Sequence, residues 1–523
     1  MRFKNVMKGR VNMGNKTAII IGAGVAGMAA GCYLQMNGYK TKIYEMGLLP
    51  GGLCTGWSRK GYYFDGCISW LVGSGPNNTF HKFWKELNII QNMEFINDEE
   101  FAVVNFKDGS TFTLYSDVDK LEQEFLRVAP EDEETIKVLT DAIRVISSVD
   151  LDLDKAPELL DLSDFERFKA KAGPYMKVMK EWGKVTIEEF SKRFKSPLVR
   201  ENFSRIFWFN IDTSISYFIA TMGWANSKSA GHPVEGSLQF AKIIEKRYVD
   251  LGGEIHYKSK VANILVEDNR AIGIKLKNGQ TYKGDLVISA ADGYNTIYEM
   301  LEGKYVNEDL KYCYDNFKTS APQIYVGLGV SKAFENVPHY MSLELERPLN
   351  DHGCKDVNNI FVKIYNKNPS FAPKGKTSIV VYAKTSSEYW EALQKNNRVK
   401  YENEKKAIAN EIIDLLDKRF GDIKSNIDVV DVSTPYTIRR YTNNRNGSWQ
   451  GWEKQMAAII HEKKLKRTLH GLEDFYMVGH WSQVGGGLPS VVLQARNLVQ
   501  VLCKEDGKIF NTKIDEPHYA NLL

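Results

Sequence analysis

An apolar run, T-A-I-I-I at Thr17 to Ile21, opens directly into G-A-G-V-A-G at Gly22 to Gly27, and Glu45 closes the next apolar run, K-T-K-I-Y-E. The spacing predicts a dinucleotide-binding βαβ unit. Gly22 permits the tight turn out of the first strand, Gly24 lets the backbone approach a pyrophosphate, and Gly27 allows close helix packing. Val25 and Ala26 then sit at a helix N-terminus that favours phosphate. Glu45 lies about twenty residues on, where an acid accepts hydrogen bonds from ribose hydroxyls. The continuation, P-G-G-L-C-T-G-W-S-R-K-G-Y-Y-F-D-G, adds Gly51, Gly52, Leu53 and Arg59 before a strand-like G-Y-Y-F-D. Plain nicotinamide dehydrogenases lack this continuation, so it points to a flavin.

Composition narrows the class. At 523 residues the chain exceeds one ordinary core, so two or more domains are expected. A formal charge of +4 on this length, with no basic stretch interleaved with aromatics, argues against nucleic-acid binding. The six cysteines carry no C-x-x-C spacing, which disfavours a disulfide frame or a zinc site and makes a reducing cytoplasm the simplest compartment. M-R-F-K-N-V-M-K-G-R followed by the first apolar run imitates a signal peptide, but cleavage there would destroy the glycine fingerprint. No apolar stretch approaches the roughly twenty residues that span a bilayer. No G-x-S-x-G elbow or H-E-x-x-H pair appears, so hydrolase and metal chemistry have little support.

Three separated segments make the chain resemble the phytoene desaturase, carotenoid isomerase and retinol saturase branch of the FAD-dependent amine-oxidase-like oxidoreductases. The first is the N-terminal block. The second runs from Gly236 to Gly279, G-S-L-Q-F-A-K-I-I-E-K-R-Y-V-D-L-G-G-E-I-H-Y-K-S-K-V-A-N-I-L-V-E-D-N-R-A-I-G-I-K-L-K-N-G, where the resemblance implies that Val261 covers the adenine. The third is F-Y-M-V-G-H-W-S-Q-V-G-G-G-L-P-S, in which a strand ends at Gly479 and a glycine-rich turn with Gly486 and Gly487 feeds a helix at Leu488 and Pro489. Two positions depart from the pattern. Glu235 replaces a usual glycine, and His480 stands where many flavoproteins carry an acid that bonds the ribityl chain. His480 either faces the flavin or merely packs beside Trp481.

The resemblance implies an α/β fold: a Rossmann-type FAD-binding domain from discontinuous segments, a mixed-sheet substrate domain and a helical cap. Expected boundaries are 16–75, 232–300 and 470–505 for the FAD domain, 117–230 for the cap, and 76–116 with 301–469 for the substrate domain. P-Q-I-Y-V-G-L-G-V and T-S-I-V-V-Y-A read as sheet strands. The aromatic segment Phe203 to Trp224 is either buried core or the wall of a tunnel for a long apolar molecule. Tyr175, Met176, Met179 and Trp182, beside Lys177 and Lys180, are candidates for peripheral membrane contact, and Glu462 to Arg467 reads as a solvated helix face that could attract anionic headgroups.

Flavin chemistry needs few acid–base residues, because the ring itself exchanges hydride and the protein orients, excludes water and tunes charge. N-N-R-N-G-S-W-Q-G, Asn443 to Gly451, resembles the family's loop on the substrate side of the ring. Gly447 and Gly451 would let it bend close, and Trp449, Tyr441, Arg439, Arg440 and His480 are the candidates to line the flavin. The expected activity is desaturation, saturation or isomerisation of carbon–carbon double bonds in a long apolar polyene or lipid. With one nucleotide fingerprint, electrons would pass to or from a protein partner or a quinone. A flavin amine oxidase and a non-enzymatic FAD-containing lipid carrier remain open.

Overall fold

The computed structural model describes residues 16–206, 211–454 and 465–515. The strands Thr17–Ile21, Lys40–Tyr44, Glu254–His256, Leu286–Ser289 and Phe475–Met477 form one parallel sheet. In space the third of these lies outermost beside the second, then the first, fourth and fifth. That order reverses direction at the first strand, and the crevice beyond its carboxyl end is where such sheets bind ligands. Buried Ala18, Ile19, Ile20 and Ile21 make a strand covered on both faces. One face packs against the helices Val25–Met36, Gly236–Asp250 and Leu488–Glu505. The other lies against a three-stranded antiparallel sheet, Val261–Glu267, Arg270–Leu276 and Thr281–Lys283.

The glycines explain the first turn. Gly22 has φ of +98°, and a Cβ on Gly27 would stand 2.1 Å from the Gly22 carbonyl oxygen, so only glycine lets the helix meet the strand end. Gly24 differs: a Cβ there would meet only the Gly51 oxygen at 3.9 Å, so its bareness serves no protein neighbour. The helices are also tied electrostatically. Buried Glu86 accepts from Tyr33 Oη at 2.8 Å and pairs with Arg496 Nε at 3.0 Å.

A second, seven-stranded mixed sheet draws its strands from 100–115 and 323–433. The two runs expected as strands, Gln323–Val330 and Thr377–Lys384, are antiparallel neighbours within it. Its alternation sorts the faces. Ile324, Val326, Leu328, Ile360, Val362, Ile379 and Val381 pack under the helices Ser387–Asn396 and Arg398–Phe420, while Tyr325, Tyr340, Phe361, Tyr365 and Tyr382 face the other way. Those two helices lie inside 301–469, the larger piece expected for the mixed-sheet substrate domain. Between 118 and 226 the named elements of the described residues are all helices, among them Val118–Val128, Glu133–Ser148, Leu162–Trp182 and Ser216–Asn226. No described helix is long and apolar enough to cross a membrane.

Candidate functional site

One cavity of about 470 Å³ runs from the end of the parallel sheet to the tyrosine face of the mixed sheet. At its first end Gly22, Gly24, Val25, Ala26, Gly51, Gly52 and Leu53 form the wall, with Glu45 and Val261 beside them. Gly24 is the N-cap of the helix Val25–Met36, whose first amides have no intrahelical acceptors. The Gly51 amide donates to the Ala23 carbonyl at 2.8 Å, which seats the second glycine loop over the first.

Glu45 is held by amides on both sides: Ala23 N donates to Oε2 at 2.7 Å and Gly47 N to Oε1 at 2.6 Å. Burial pushes its carboxyl up, and those amide hydrogen bonds oppose the shift. Each carboxylate oxygen keeps a further lone pair for a ligand hydroxyl.

The third sequence segment closes the cavity from the side. Gly479, at φ +110°, His480, Gly486, Gly487, Leu488 and Pro489 all line it. His480 is half-buried with its Nε2 buried and without a protein partner, and desolvation pushes its imidazole down to about 4, with the Lys454 cation adding to that effect. At neutral pH this is therefore an uncharged ring, able to offer a ligand one hydrogen bond. Trp481, beside it, instead donates from Nε1 to Asn444 Oδ1 at 3.0 Å.

Tyr441 and Trp449 line the cavity as well, but the loop glycines do a different job from the one their spacing suggests. A Cβ on Gly447 would lie 2.1 Å from the Pro435 oxygen, and one on Gly451 2.5 Å from the His480 oxygen. They let this loop pack on its own helix and on the Gly479 turn. Asn444 Nδ2 donates to the Ser448 carbonyl at 2.7 Å and stiffens the same bend.

Gly27, Arg59, Arg439 and Arg440 are not among the wall residues. Gly27 serves helix packing, as its spacing implies. Arg59 pairs with Asp431 at 2.5 Å and Arg439 with Glu391 at 2.5 Å, both half-exposed, so neither guanidinium meets the cavity. The Arg440 guanidinium lies over the Tyr441 ring, 5.5 Å from its centroid.

Within the aromatic segment both sequence readings are partly realised. Tyr217, Thr221 and Trp224, spaced by four and three along one helix, line the cavity. Phe203, Phe218, Ile219 and Met222 are core, Phe203 stacking with Phe125 and Phe194 and meeting Phe190 edge to face. Residues 207–210 lie outside the described residues, as do 462–464 of the basic stretch. Trp182 is a correction: it is buried beneath Arg193, whose guanidinium lies 4.9 Å from its ring, because it closes the inner face of its helix. Met176 is exposed, Tyr175 and Met179 half-buried.

The far wall holds residues that sequence motifs did not single out: Trp70, Gln323, Tyr325, Lys363, Tyr382 and Lys454. Burial pushes the Lys454 ammonium down to about 8, and it sits 4.9 Å from the Tyr217 ring centroid. The one legible sign was alternation. In N-I-F-V-K-I, Lys363 takes the same strand face as Phe361. Among the described residues no cluster could hold a metal ion.

A family model described as flavin containing amine oxidoreductase matches residues 25–503. A prolycopene isomerase from an Oncidium hybrid cultivar is 26% identical over 498 residues, covering 91% of this chain and 81% of that one. A 1-hydroxycarotenoid 3,4-desaturase from Flavobacterium sp. is 24% identical over 506 residues, covering 92% and 98%. Among solved structures, an oxidoreductase from Methanosarcina mazei superposes with a TM-score of 0.59 at 16% identity, over 92% of this chain and all of that one.

Proposed function

The chain belongs to the flavin containing amine oxidoreductases, and on that premise we propose that it is an FAD-dependent oxidoreductase that desaturates, saturates or isomerises carbon–carbon double bonds of a long apolar polyene or lipid. The relatives named for carotenoid isomerisation and desaturation support the reaction class.

The residues present fit FAD. Gly24 leaves a bare backbone with open space above a helix N-terminus, Glu45 offers carboxylate oxygens beside it, and His480 keeps an unpartnered Nε2 in the same cavity. Gly22, Gly24, Val25, Ala26, Gly51, Gly52 and Leu53 would hold the pyrophosphate end, Glu45 the ribose and Val261 the adenine. Gly479, His480 and the turn from Gly486 to Pro489 would hold the ribityl end. Bound there, the flavin supplies two-electron transfer to or from carbon.

The chain's own residues do the rest. Tyr217, Trp224, Tyr325, Tyr382, Tyr441 and Trp449 make an apolar, flat-walled slot that aligns an extended chain and keeps water from the reacting carbons. His480, uncharged, holds a single proton on one ring nitrogen and donates or accepts without adding charge. The observation that carries the reading is this continuity of nucleotide cradle and aromatic slot in one cavity. Electrons would come from or go to a protein partner or a quinone. The exposed Met176 with Lys177 and Lys180 supports a peripheral contact with a membrane holding the substrate.

The test is anaerobic mixing of the yellow holoprotein with polyenes, unsaturated fatty acids and amines while the flavin spectrum is followed. A polyene or unsaturated lipid is expected to perturb or bleach the flavin. Bleaching by amines alone would make the protein an amine oxidase, and none by any class would favour a lipid carrier.

A further inference from the structure

Of the mixed-sheet residues that line the cavity, Gln323, Tyr325, Lys363 and Tyr382, Lys363 is the one that carries a charge. Lys363 sits on the strand Val357–Ile364, opposite Tyr340 on one neighbour and Val380 on the other, with Phe361 and Tyr365 two residues to either side. It is 4% exposed and lines the cavity. Its ammonium lies 5.6 Å from the Tyr382 ring centroid, and the Tyr382 hydroxyl is taken by Tyr340. The acid whose charge acts on it is Asp65, but that carboxylate already accepts from Ser237 N at 2.6 Å, Ser237 Oγ at 2.7 Å and Cys67 N at 2.9 Å. Burial accordingly pushes the Lys363 ammonium below the usual lysine value. The other acids on the cavity wall, Glu45 and Asp292, are held by backbone amides, Asp292 by Asn295 N and Arg445 N at 2.8 Å each.

A buried lysine without a paired carboxylate is costly in an apolar wall, and a hydrocarbon laid over it would desolvate it further with no compensating bond. A ligand with one negative end would reverse that cost, since a charge-assisted hydrogen bond forms where the cation is least solvated. Lys363 is the one cation that the mixed sheet lends to the cavity wall, which matches a monoanion; Lys454, from outside the sheet, lies over the Tyr217 ring. We propose that Lys363 anchors the carboxylate of a long apolar acid, so that the enzyme acts on a polyene or lipid carboxylic acid rather than on a pure hydrocarbon. This rests on the reading of the cavity as a polyene or lipid site.

The test titrates holoprotein with all-trans-retinoate, its methyl ester and retinol, reading the flavin absorbance change as binding, for wild type, Lys363→Met and Lys363→Arg. Wild type is expected to bind the acid about ten- to a hundredfold tighter than the ester. Lys363→Met should bring that ratio near one at unchanged FAD content, and Lys363→Arg should keep it. Equal binding of acid and ester by wild type overturns the proposal whether or not the variants fold, as does an acid preference surviving in Lys363→Met. If Lys363→Met leaves the ratio intact but shifts the flavin's potential, the lysine serves the flavin and the proposal also falls. Ester and retinol binding without acid preference would sink only this inference. Amines alone perturbing the flavin would sink the polyene reading beneath it.

Discussion

The two ends of the cavity are built on opposite plans. At the nucleotide end the wall is backbone: glycines, helix amides and one acid held between two amides. At the mixed-sheet end it is side chains, tyrosines and tryptophans with Lys363 and Lys454 among them. A backbone wall recognises a group common to many enzymes, whereas a side-chain wall can change its ligand by substitution without disturbing the fold.

The largest expected break between the halves is at Gly24. A Gly24→Val side chain meets open space in the protein, so the fold should survive while FAD is excluded. Purified variant should be colourless with the wild-type circular dichroism spectrum; full flavin occupancy would show that the space serves something else. Gly27→Val, three residues along, should instead damage the fold itself, by about 1–3 kcal/mol from overpacking against the Gly22 carbonyl.

These two glycines also show what the sequence could say. Their spacing, with Glu45, specified a local βαβ unit, because the turn, the helix start and the acid are all set within thirty residues. The side-chain wall was not legible in that way. Lys363 and Tyr382 come from different strands, and Tyr217 from a helix outside the sheet, so only the folded topology brings them together. Arg59 and Arg439 failed for a related reason: sequence placed them near the motifs, but long guanidinium arms reached the nearer carboxylates of Asp431 and Glu391. The Phe203 to Trp224 segment was ambiguous because its apolar residues cover more than one helix face, and the structure divides them between core and cavity.

Glu45→Ala should weaken FAD binding about ten- to a hundredfold, the usual worth of a charge-assisted hydrogen bond, while leaving the product of any turnover unchanged. An unchanged dissociation constant, measured by flavin fluorescence, would remove Glu45 from the nucleotide wall.

His480 lies where the halves meet, and its burial has a pH consequence. The unfolded imidazole takes up a proton near 6.5 and the folded one only near 4, so its contribution to stability is present above pH 6.5 and lost as the pH falls toward 4. The loss is worth about 3 kcal/mol at most. In the apoprotein, His480→Asn should flatten the fall in melting temperature across that window, and an identical slope would contradict the burial argument.

On the substrate side, Trp224→Ala should cost long-chain ligands about 1–3 kcal/mol and FAD almost nothing. Affinity should rise by about 0.8 kcal/mol per added methylene in wild type until the slot is full, and less steeply in the variant. Parallel loss of flavin would mean that the two walls are not separable. The smallest effect is expected at Arg59→Ala. Its half-exposed pair with Asp431 is worth about 1 kcal/mol or less, and flavin content should not change.

The central claim is that the backbone wall holds FAD so that the aromatic wall can direct it at carbon–carbon bonds. Mass spectrometry of the product after incubating holoprotein with a polyene or unsaturated lipid and an electron acceptor or donor, alongside an ammonia assay with amines, tests it most directly. The account predicts a mass change of two hydrogens, or none with a changed double-bond geometry, and no ammonia. Stoichiometric ammonia from an amine, with the polyene returned unaltered, would contradict it.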